Sequence, residues 1–380
     1  MKVICEKEVL SEGLDKVSSV TSTSRSALPV LSNFLFATDK DSGKIKLSST
    51  DLETAVQCYI KAEIIEEGAI TIPTKRFFDI VKEIQNNKES TKIEITSDET
   101  NKINIKSHNS HFDLTGISKT EYPEIPSFPK ENNFSISKDT LIKMLKKTVF
   151  STSKDTQRYV LNGVCFVFSD DGKFEIAATD ARRLAYIWTS IPSVNVKSKF
   201  IVPTKAVNEI IRLFPIDSVD ENINIGLSDN HIAFEIGDIT LTSTLIDGAF
   251  PNYEQIIPKD PEFKIKLNVE STLAAVRLAS LLTGEKITVD KVSMVVFTFS
   301  DNNLNISAKT AGIGEGEVNI EVEYKNAPIE IKLNPDFVKE ILQNCGEEFI
   351  YFEFTNTTMP IVFTPEKNKC YICIVMPMRA

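Results

Sequence analysis

Three stretches of the chain share one pattern of apolar and polar positions: a short alternating run, a turn, then an apolar stripe at helical spacing. They begin at Ala69, Lys199 and Glu330. In their helical parts Phe77, Ile80, Val81 and Ile84 keep the same phase as Val207, Ile210, Ile211 and Phe214, and as Val338, Ile341, Leu342 and Cys345. The i, i+3, i+4, i+7 spacing puts each set on one side of a helix, a side that must be covered. A further amphipathic helix is predicted near residues 8–18, 137–148 and 269–282. Between the helices, runs such as Gly163-Val164-Cys165-Phe166-Val167-Phe168 and Met294-Val295-Val296-Phe297-Thr298-Phe299 predict strands. Polar turns such as Ser169-Asp170-Asp171-Gly172 separate them.

Other landmarks keep the same register. Leu47-Ser48-Ser49-Thr50-Asp51 recurs as Ile176-Ala177-Ala178-Thr179-Asp180, and more weakly as Ile306-Ser307-Ala308-Lys309-Thr310. Glu121-Tyr122-Pro123 recurs as Ala249-Phe250-Pro251, each closing a unit. Chance similarity would not hold phase across three separated landmarks, so the chain is a threefold repeat with a period of about 130 residues. That is far longer than a solenoid repeat, and each unit should own a core. The predicted fold class is α+β: three repeats of two helices plus an antiparallel sheet of about eight strands, helices on one side. The expected domains are 1–128, 129–258 and 259–380.

Composition adds little to this and removes several alternatives. The 380 residues are 42% hydrophobic and 25% charged, as in a soluble globular protein. The longest apolar run, 292–299, is far short of the ~20 residues of a membrane span. Charge appears too early at the N-terminus for a signal peptide, so a cytoplasmic protein is expected. A net charge of −10 argues against gripping nucleic acid by bulk electrostatics, though not against basic side chains gathered on one face. Cys5, Cys58 and Cys165 lie in apolar stretches and read as reduced core thiols. Cys370 and Cys373 fall on a predicted strand, where positions i and i+3 point to opposite faces and cannot share a metal.

Catalytic chemistry is poorly provided for. His108 and His111 have H-x-x-H spacing, but on a strand they diverge as the cysteines do. Gly312-Ile313-Gly314-Glu315-Gly316-Glu317 resembles a phosphate loop, yet its glutamates repel phosphate and no helix N-terminus follows. Thr50-Asp51 and Thr179-Asp180 stand at repeat-equivalent places, which suits a structural turn better than a catalytic group. An enzyme, such as a hydrolase working through carboxylates, would need a unique cluster of ionisable groups, and the carboxylates here are repeated. A β-rich binding module would usually be secreted. The basic residues are more informative: Lys143, Lys146 and Lys147 lie opposite the Leu141, Met144, Leu145 stripe, while Lys75, Arg76 and Lys82, and Lys205 and Arg212, sit on the second helices of units one and two. If the helices line one wall, these charges converge, with Glu63, Glu66 and Glu67 left to the strand-and-loop regions. The tail Ile374-Val375-Met376-Pro377-Met378-Arg379-Ala380 is either a strand tucked into the last core, the reading composition favours, or one wall of a binding groove.

Five segments together resemble the bacterial sliding clamp family, the beta subunits of replicative DNA polymerase. They are Arg25-Ser26-Ala27-Leu28-Pro29-Val30-Leu31-Ser32-Asn33, Arg158-Tyr159-Val160-Leu161-Asn162-Gly163, Ala178-Thr179-Asp180-Ala181-Arg182-Arg183-Leu184-Ala185, Phe250-Pro251-Asn252-Tyr253 and Val375-Met376-Pro377-Met378-Arg379. The resemblance runs evenly over the whole chain. It implies a head-to-tail homodimer forming a six-domain ring around duplex DNA, read without sequence preference, with no catalysis and no cofactor. It implies a dimer contact of Phe112 and Leu114 with Leu281 and Leu282 of the other chain. It also implies a groove that takes short peptide motifs of the clamp loader and of DNA polymerases. The matching groove residues are Leu161, Thr179, Arg183, Leu184, Pro251, Ile256, Asn334, Phe337, Ile374, Met376, Pro377, Met378 and Arg379. Methionines suit a site that repacks around several partners. For DNA contact the matching positions are Arg25, Lys75, Arg76, Arg158, Tyr159 and Lys205. The chain departs from the best-known members at Ala181-Arg182, where they have Gly-His, and at Gln255, where they often carry Arg, which changes the rim charge.

Overall fold

The computed structural model describes residues 1–21, 28–85, 91–108, 110–191, 197–216, 221–283 and 293–378. The six helices expected from periodicity form within it: α1 (Lys7–Ser18), α2 (Thr74–Glu83), α3 (Lys138–Lys146), α4 (Thr204–Leu213), α5 (Val269–Ser280) and α6 (Pro335–Cys345). Their apolar stripes are buried. Phe77 and Val81, Val207 and Ile210, and Val338 and Ile341 are at most 1% exposed. Helices α2 and α4 follow directly on strands that end in Pro73 and Pro203, and α6 begins at Pro335 one residue after strand Ile329–Leu333; proline suits the end of a strand or the first turn of a helix. Helix α6 ends at Gly346, whose φ of 73° is the left-handed cap that a side chain would strain.

By packing, the described chain falls into two compact units, 1–140 with 208–245, and 141–207 with 246–380. In the first, a nine-stranded antiparallel sheet runs in the order Ile117–Ser118, Ala69–Pro73, Asn33–Asp39, Lys44–Thr50, Thr54–Lys61, Ile239–Thr244, His231–Ile236, Asn222–Leu227 and Asn133–Ser137. A five-stranded sheet in the same unit runs Glu63–Glu66, Lys2–Glu6, Lys92–Ser97, Lys102–Ser107 and Ser110–Thr115. Helix α1 lies close on strand Thr54–Lys61. A Cβ on Gly13 would stand 2.7 Å from Ile60, so only glycine permits that approach.

In the second unit an eight-stranded sheet runs Ser198–Pro203, Gly163–Phe168, Lys173–Thr179, Arg183–Ser190, Tyr371–Val375, Ile361–Pro365, Phe349–Phe354 and Phe263–Asn268. A four-stranded sheet runs Gly314–Glu321, Asn303–Thr310, Val295–Ser300 and Ile329–Leu333. Its core is aromatic. Phe168 stacks on Phe174 at 4.3 Å, and Phe352 meets Phe299, Phe354 and Phe363 at 5.2, 5.7 and 5.1 Å.

Three expectations are corrected. His108 is not on a strand but in the turn before Ser110–Thr115, with a φ of 41°; His111 alone lies on that strand, bonded to Asn104 at 2.8 Å. Lys147 does not join the exposed lysines of α3. Its Nζ donates to the Cys345 carbonyl at 3.1 Å and sits 4.7 Å from the Tyr371 ring, because the end of α6 offers unpaired carbonyls beside it. Arg212 likewise works within the first unit: its guanidinium donates to the Asp15 and Lys16 carbonyls at 3.1 and 2.9 Å and pairs with Glu209, closing the end of α1. The glycine-rich segment is the hairpin that leads into strand Gly314–Glu321, with Glu315 paired to Lys309 at 2.5 Å.

Candidate functional site

The turn between strands Lys173–Thr179 and Arg183–Ser190 is built by its own side chains. Thr179 Oγ1 donates to the Arg183 carbonyl at 2.6 Å and accepts from the Ala181 amide at 3.1 Å. Asp180 accepts from the amides of Arg182 and Arg183 at 2.9 and 3.0 Å. These bonds hold Ala181 at a φ of 72°, a conformation that glycine adopts more readily. The turn aims Arg183 inward. The guanidinium pairs with Asp180 at 3.0 Å and with Glu340 of α6, and donates to the Phe150 carbonyl at 2.5 Å. It also lies over two rings, Phe337 at 4.5 Å and Phe150 at 5.6 Å. A charge only 7% exposed is tolerable because each face and edge of it is matched.

Below the turn, Leu161, Leu184 and Ile374 share one buried cluster with Phe250, Tyr253, Tyr186 and Val362. Tyr186 donates to Glu175, and Lys173 bonds the same carboxylate at 2.5 Å, so the Tyr186 hydroxyl and the Glu175 carboxylate beneath the cluster are both satisfied. Burial first, then the Glu175 bond, pushes the Tyr186 hydroxyl well above its usual range, and burial does the same to Tyr253. Burial raises the Cys165 and Cys373 thiols to about 12, so both are neutral, inert filling.

Residues 371–378 run beside the same turn. Tyr371–Val375 is a core strand beside Arg183–Ser190; then the Met376 amide donates to the Arg182 carbonyl and the Met378 amide to the Lys332 carbonyl, both at 2.8 Å. The core-strand reading of the tail therefore holds for Tyr371–Val375. Met376 at 40% and Ile256 at 42% are exposed apolar side chains, and Pro251 is exposed, while Pro377 and Met378 are half-buried. Asn334 caps α6 by accepting from the Asp336 amide at 2.9 Å, and Phe337 follows in the first turn. Thr179, Arg183, Asn334 and Phe337 thus meet through the turn and the helix, and Leu161, Leu184 and Ile374 through the cluster. Arg379 lies outside the described residues. Phe150 and Glu340, which hold Arg183, had no signal in the sequence, since neither is near it in the chain.

The remaining predicted site residues lie on several different elements. Lys75 and Arg76 are exposed in the first turn of α2 and Lys205 is exposed in that of α4. Arg158 and Tyr159 stand exposed on the 3-10 segment Thr156–Leu161. Arg25 lies outside the described residues. Phe112 and Leu114 sit on Ser110–Thr115, which ends its sheet. Leu281 is 75% exposed just beyond α5, and Leu282 lies over Gly316 of the sheet-ending strand Gly314–Glu321.

Three family models match in order: the N-terminal domain of DNA polymerase III beta subunit over 1–126, its central domain over 135–252 and its C-terminal domain over 254–379. The beta sliding clamp of Chlamydia muridarum is 30% identical over 382 residues, covering 100% of this chain and 99% of its own. That of Escherichia coli K12 is 29% identical over 384 residues, with both chains fully covered. Among solved structures, the DNA polymerase III subunit beta of Pseudomonas aeruginosa superposes with a TM-score of 0.91 at 28% identity, both chains fully covered. The DNA polymerase sliding clamp of Bacillus subtilis superposes at 0.92 with 22% identity, covering 100% of this chain and 99% of its own, a likeness of fold.

Proposed function

The chain belongs to the beta sliding clamp family of DNA polymerase III beta subunits, and on that premise we propose that it is a ring-forming processivity factor without catalysis or cofactor of its own. Two chains join head to tail, and their six domains, 1–128, 129–258 and 259–380 of each, close around duplex DNA. The reading is carried by the three domain models, which follow one another in order along the full chain.

A topological link explains the charge. Because the ring cannot leave closed DNA, it needs no strong grip on phosphates, and a net charge of −10 is compatible with sliding. Arg25, Lys75, Arg76, Arg158, Tyr159 and Lys205 contact the backbone and read no bases. Ring closure uses the two sheet-ending strands. Ser110–Thr115 and Gly314–Glu321 each present a row of backbone donors and acceptors along one side, which a strand of another copy can complete. Phe112 and Leu114 then pack on Leu281 and Leu282 of the partner subunit. The groove around Arg183, Phe337 and Met376 receives short peptides of the clamp loader and of DNA polymerases, which the clamp tethers to DNA in the cytoplasm.

The test is retention. After loading onto a closed circular duplex, the protein should co-elute with DNA and be lost when the circle is cut. Equal retention on linear DNA, or a strictly monomeric species at micromolar concentration, would sink the ring. Deleting residues 376–379 should abolish peptide binding and leave the dimer intact; unchanged affinity would refute the groove.

A further inference from the structure

The turn that supports the groove occurs twice in the chain. Thr50 Oγ1 donates to the Thr54 carbonyl at 3.0 Å and accepts from the Leu52 amide at 3.0 Å, as Thr179 does with Arg183 and Ala181. Asp51 accepts from the amides of Glu53 and Thr54 at 3.0 and 2.7 Å, as Asp180 does from Arg182 and Arg183. Leu52, at a φ of 82°, stands where Ala181 stands. The strand after each turn pairs with one from much later in the chain, Thr54–Lys61 with Ile239–Thr244 and Arg183–Ser190 with Tyr371–Val375. Even the exit bond is copied: the Thr244 amide donates to the Glu53 carbonyl at 2.8 Å, as Met376 does to Arg182. Thr244 is therefore the counterpart of Met376, and Pro123 that of Pro251.

Beside this first turn the surface is hollow. A cavity of about 560 Å³ is lined by Glu124, Ile125, Pro126, His231, Ile232 and Thr242 among others. A smaller hollow of about 50 Å³ shares Glu124, Ile125, Pro126, His231 and Thr242 and reaches Leu52 and Glu53. Together they form a trough bounded by the exposed Leu52 at one end. Its charge is opposite to that of the other turn. Where that turn exposes Arg182, its Arg183 being neutralised by Asp180 and Glu340, this one exposes Glu53, Glu124 adds a second carboxylate, and neither hollow is lined by Lys or Arg among the described residues.

We propose that this trough is a second peptide-binding site, which takes a short segment of a partner protein presenting aliphatic side chains to Leu52 and Ile125 and a Lys or Arg to Glu53 and Glu124. Short linear segments fit because a 560 Å³ hollow holds a few side chains rather than a folded surface. The inference rests on reading the Arg183 groove as a peptide site, since the shared turn is what suggests the same use with reversed charge.

Two fluorescent hexapeptides test it on the intact protein by anisotropy at about 0.15 M salt: Leu-Ala-Lys-Leu-Lys-Leu and its acidic twin Leu-Ala-Glu-Leu-Glu-Leu. The basic peptide should bind without displacing the acidic one. The double variant Glu53→Lys, Glu124→Lys, both exposed positions, should weaken the basic peptide about tenfold and leave the acidic one unchanged. Leu52→Ser should also weaken it severalfold. The proposal is overturned if the basic peptide does not bind, if it ignores the double variant, or if a serine-for-leucine basic peptide binds equally well. Failure of the acidic peptide to bind would count against the Arg183 groove, and the basic arm would still decide this site by itself.

Discussion

Replacing Arg183 with alanine removes a guanidinium that satisfies two carboxylates, one carbonyl and two aromatic faces at once. Breaking a buried pair costs about 3–5 kcal/mol, because the partner charge is left without compensation. Here the lower end applies. Asp180 keeps two backbone amides, and Glu340, 40% exposed, can rehydrate. The lost contacts with Phe150 and Phe337 add about 0.5–1 kcal/mol each. The expected loss is therefore about 4 kcal/mol, or roughly 8–16 °C in the transition of the unit that contains it. Trp188 is the single tryptophan and lies on the same strand as Arg183, so urea unfolding followed by its fluorescence reads the correct element. Arg183→Lys keeps the charge but not the planar fork, and should lose about half as much. A loss below about 1 kcal/mol for the alanine variant, or wild-type stability for the lysine variant, would refute the reasoning.

Four further outcomes are expected. Ala181→Gly relieves a left-handed alanine and should raise the urea midpoint by the equivalent of about 1 kcal/mol; a fall would mean the Thr179–Arg183 turn is not strained. Burial pushes the thiols of Cys5, Cys58, Cys165 and Cys373 up to about 12, so at pH 8 a thiol reagent should reach the half-buried Cys370 first and these four only on unfolding. The folded state holds those protons after the unfolded chain has released its own near pH ~8.5, so stability must fall as pH rises from there toward 12, by at most ~1.4 kcal/mol per pH unit for each thiol. Equal stability at pH 8 and pH 10 would contradict the burial. Lys147→Met removes the cap on the Cys345 carbonyl and the contact with Tyr371, and should cost roughly 1–2 kcal/mol. Amide exchange at the end of α6 should quicken with it, and unchanged exchange would deny Lys147 that role.

Short-range periodicity is legible in the residues alone. The stripes of α2, α4 and α6 were legible because burial of one helical face imposes the 3.6-residue period locally, whatever lies opposite. The Thr-Asp turns were legible as repeats because their bonds run between residues two to four positions apart. Many of the residues proposed for the Arg183 groove could be named through family resemblance, since Leu161, Thr179, Arg183, Leu184, Pro251 and Met376 to Arg379 fall within continuous motifs. Tertiary structure alone decided which basic residues are spent inside the fold. Lys147 and Arg212 sit on helices as solvent-facing lysines and arginines do, yet both close carbonyls of helices far away in the chain. It also decided that strand Thr54–Lys61 pairs with Ile239–Thr244 and Arg183–Ser190 with Tyr371–Val375. Such pairings join residues nearly two hundred positions apart, and a strand's own pattern says which face is buried but not which edge it meets. The trough beside Leu52 follows from one of these pairings, and for that reason no local pattern announced it.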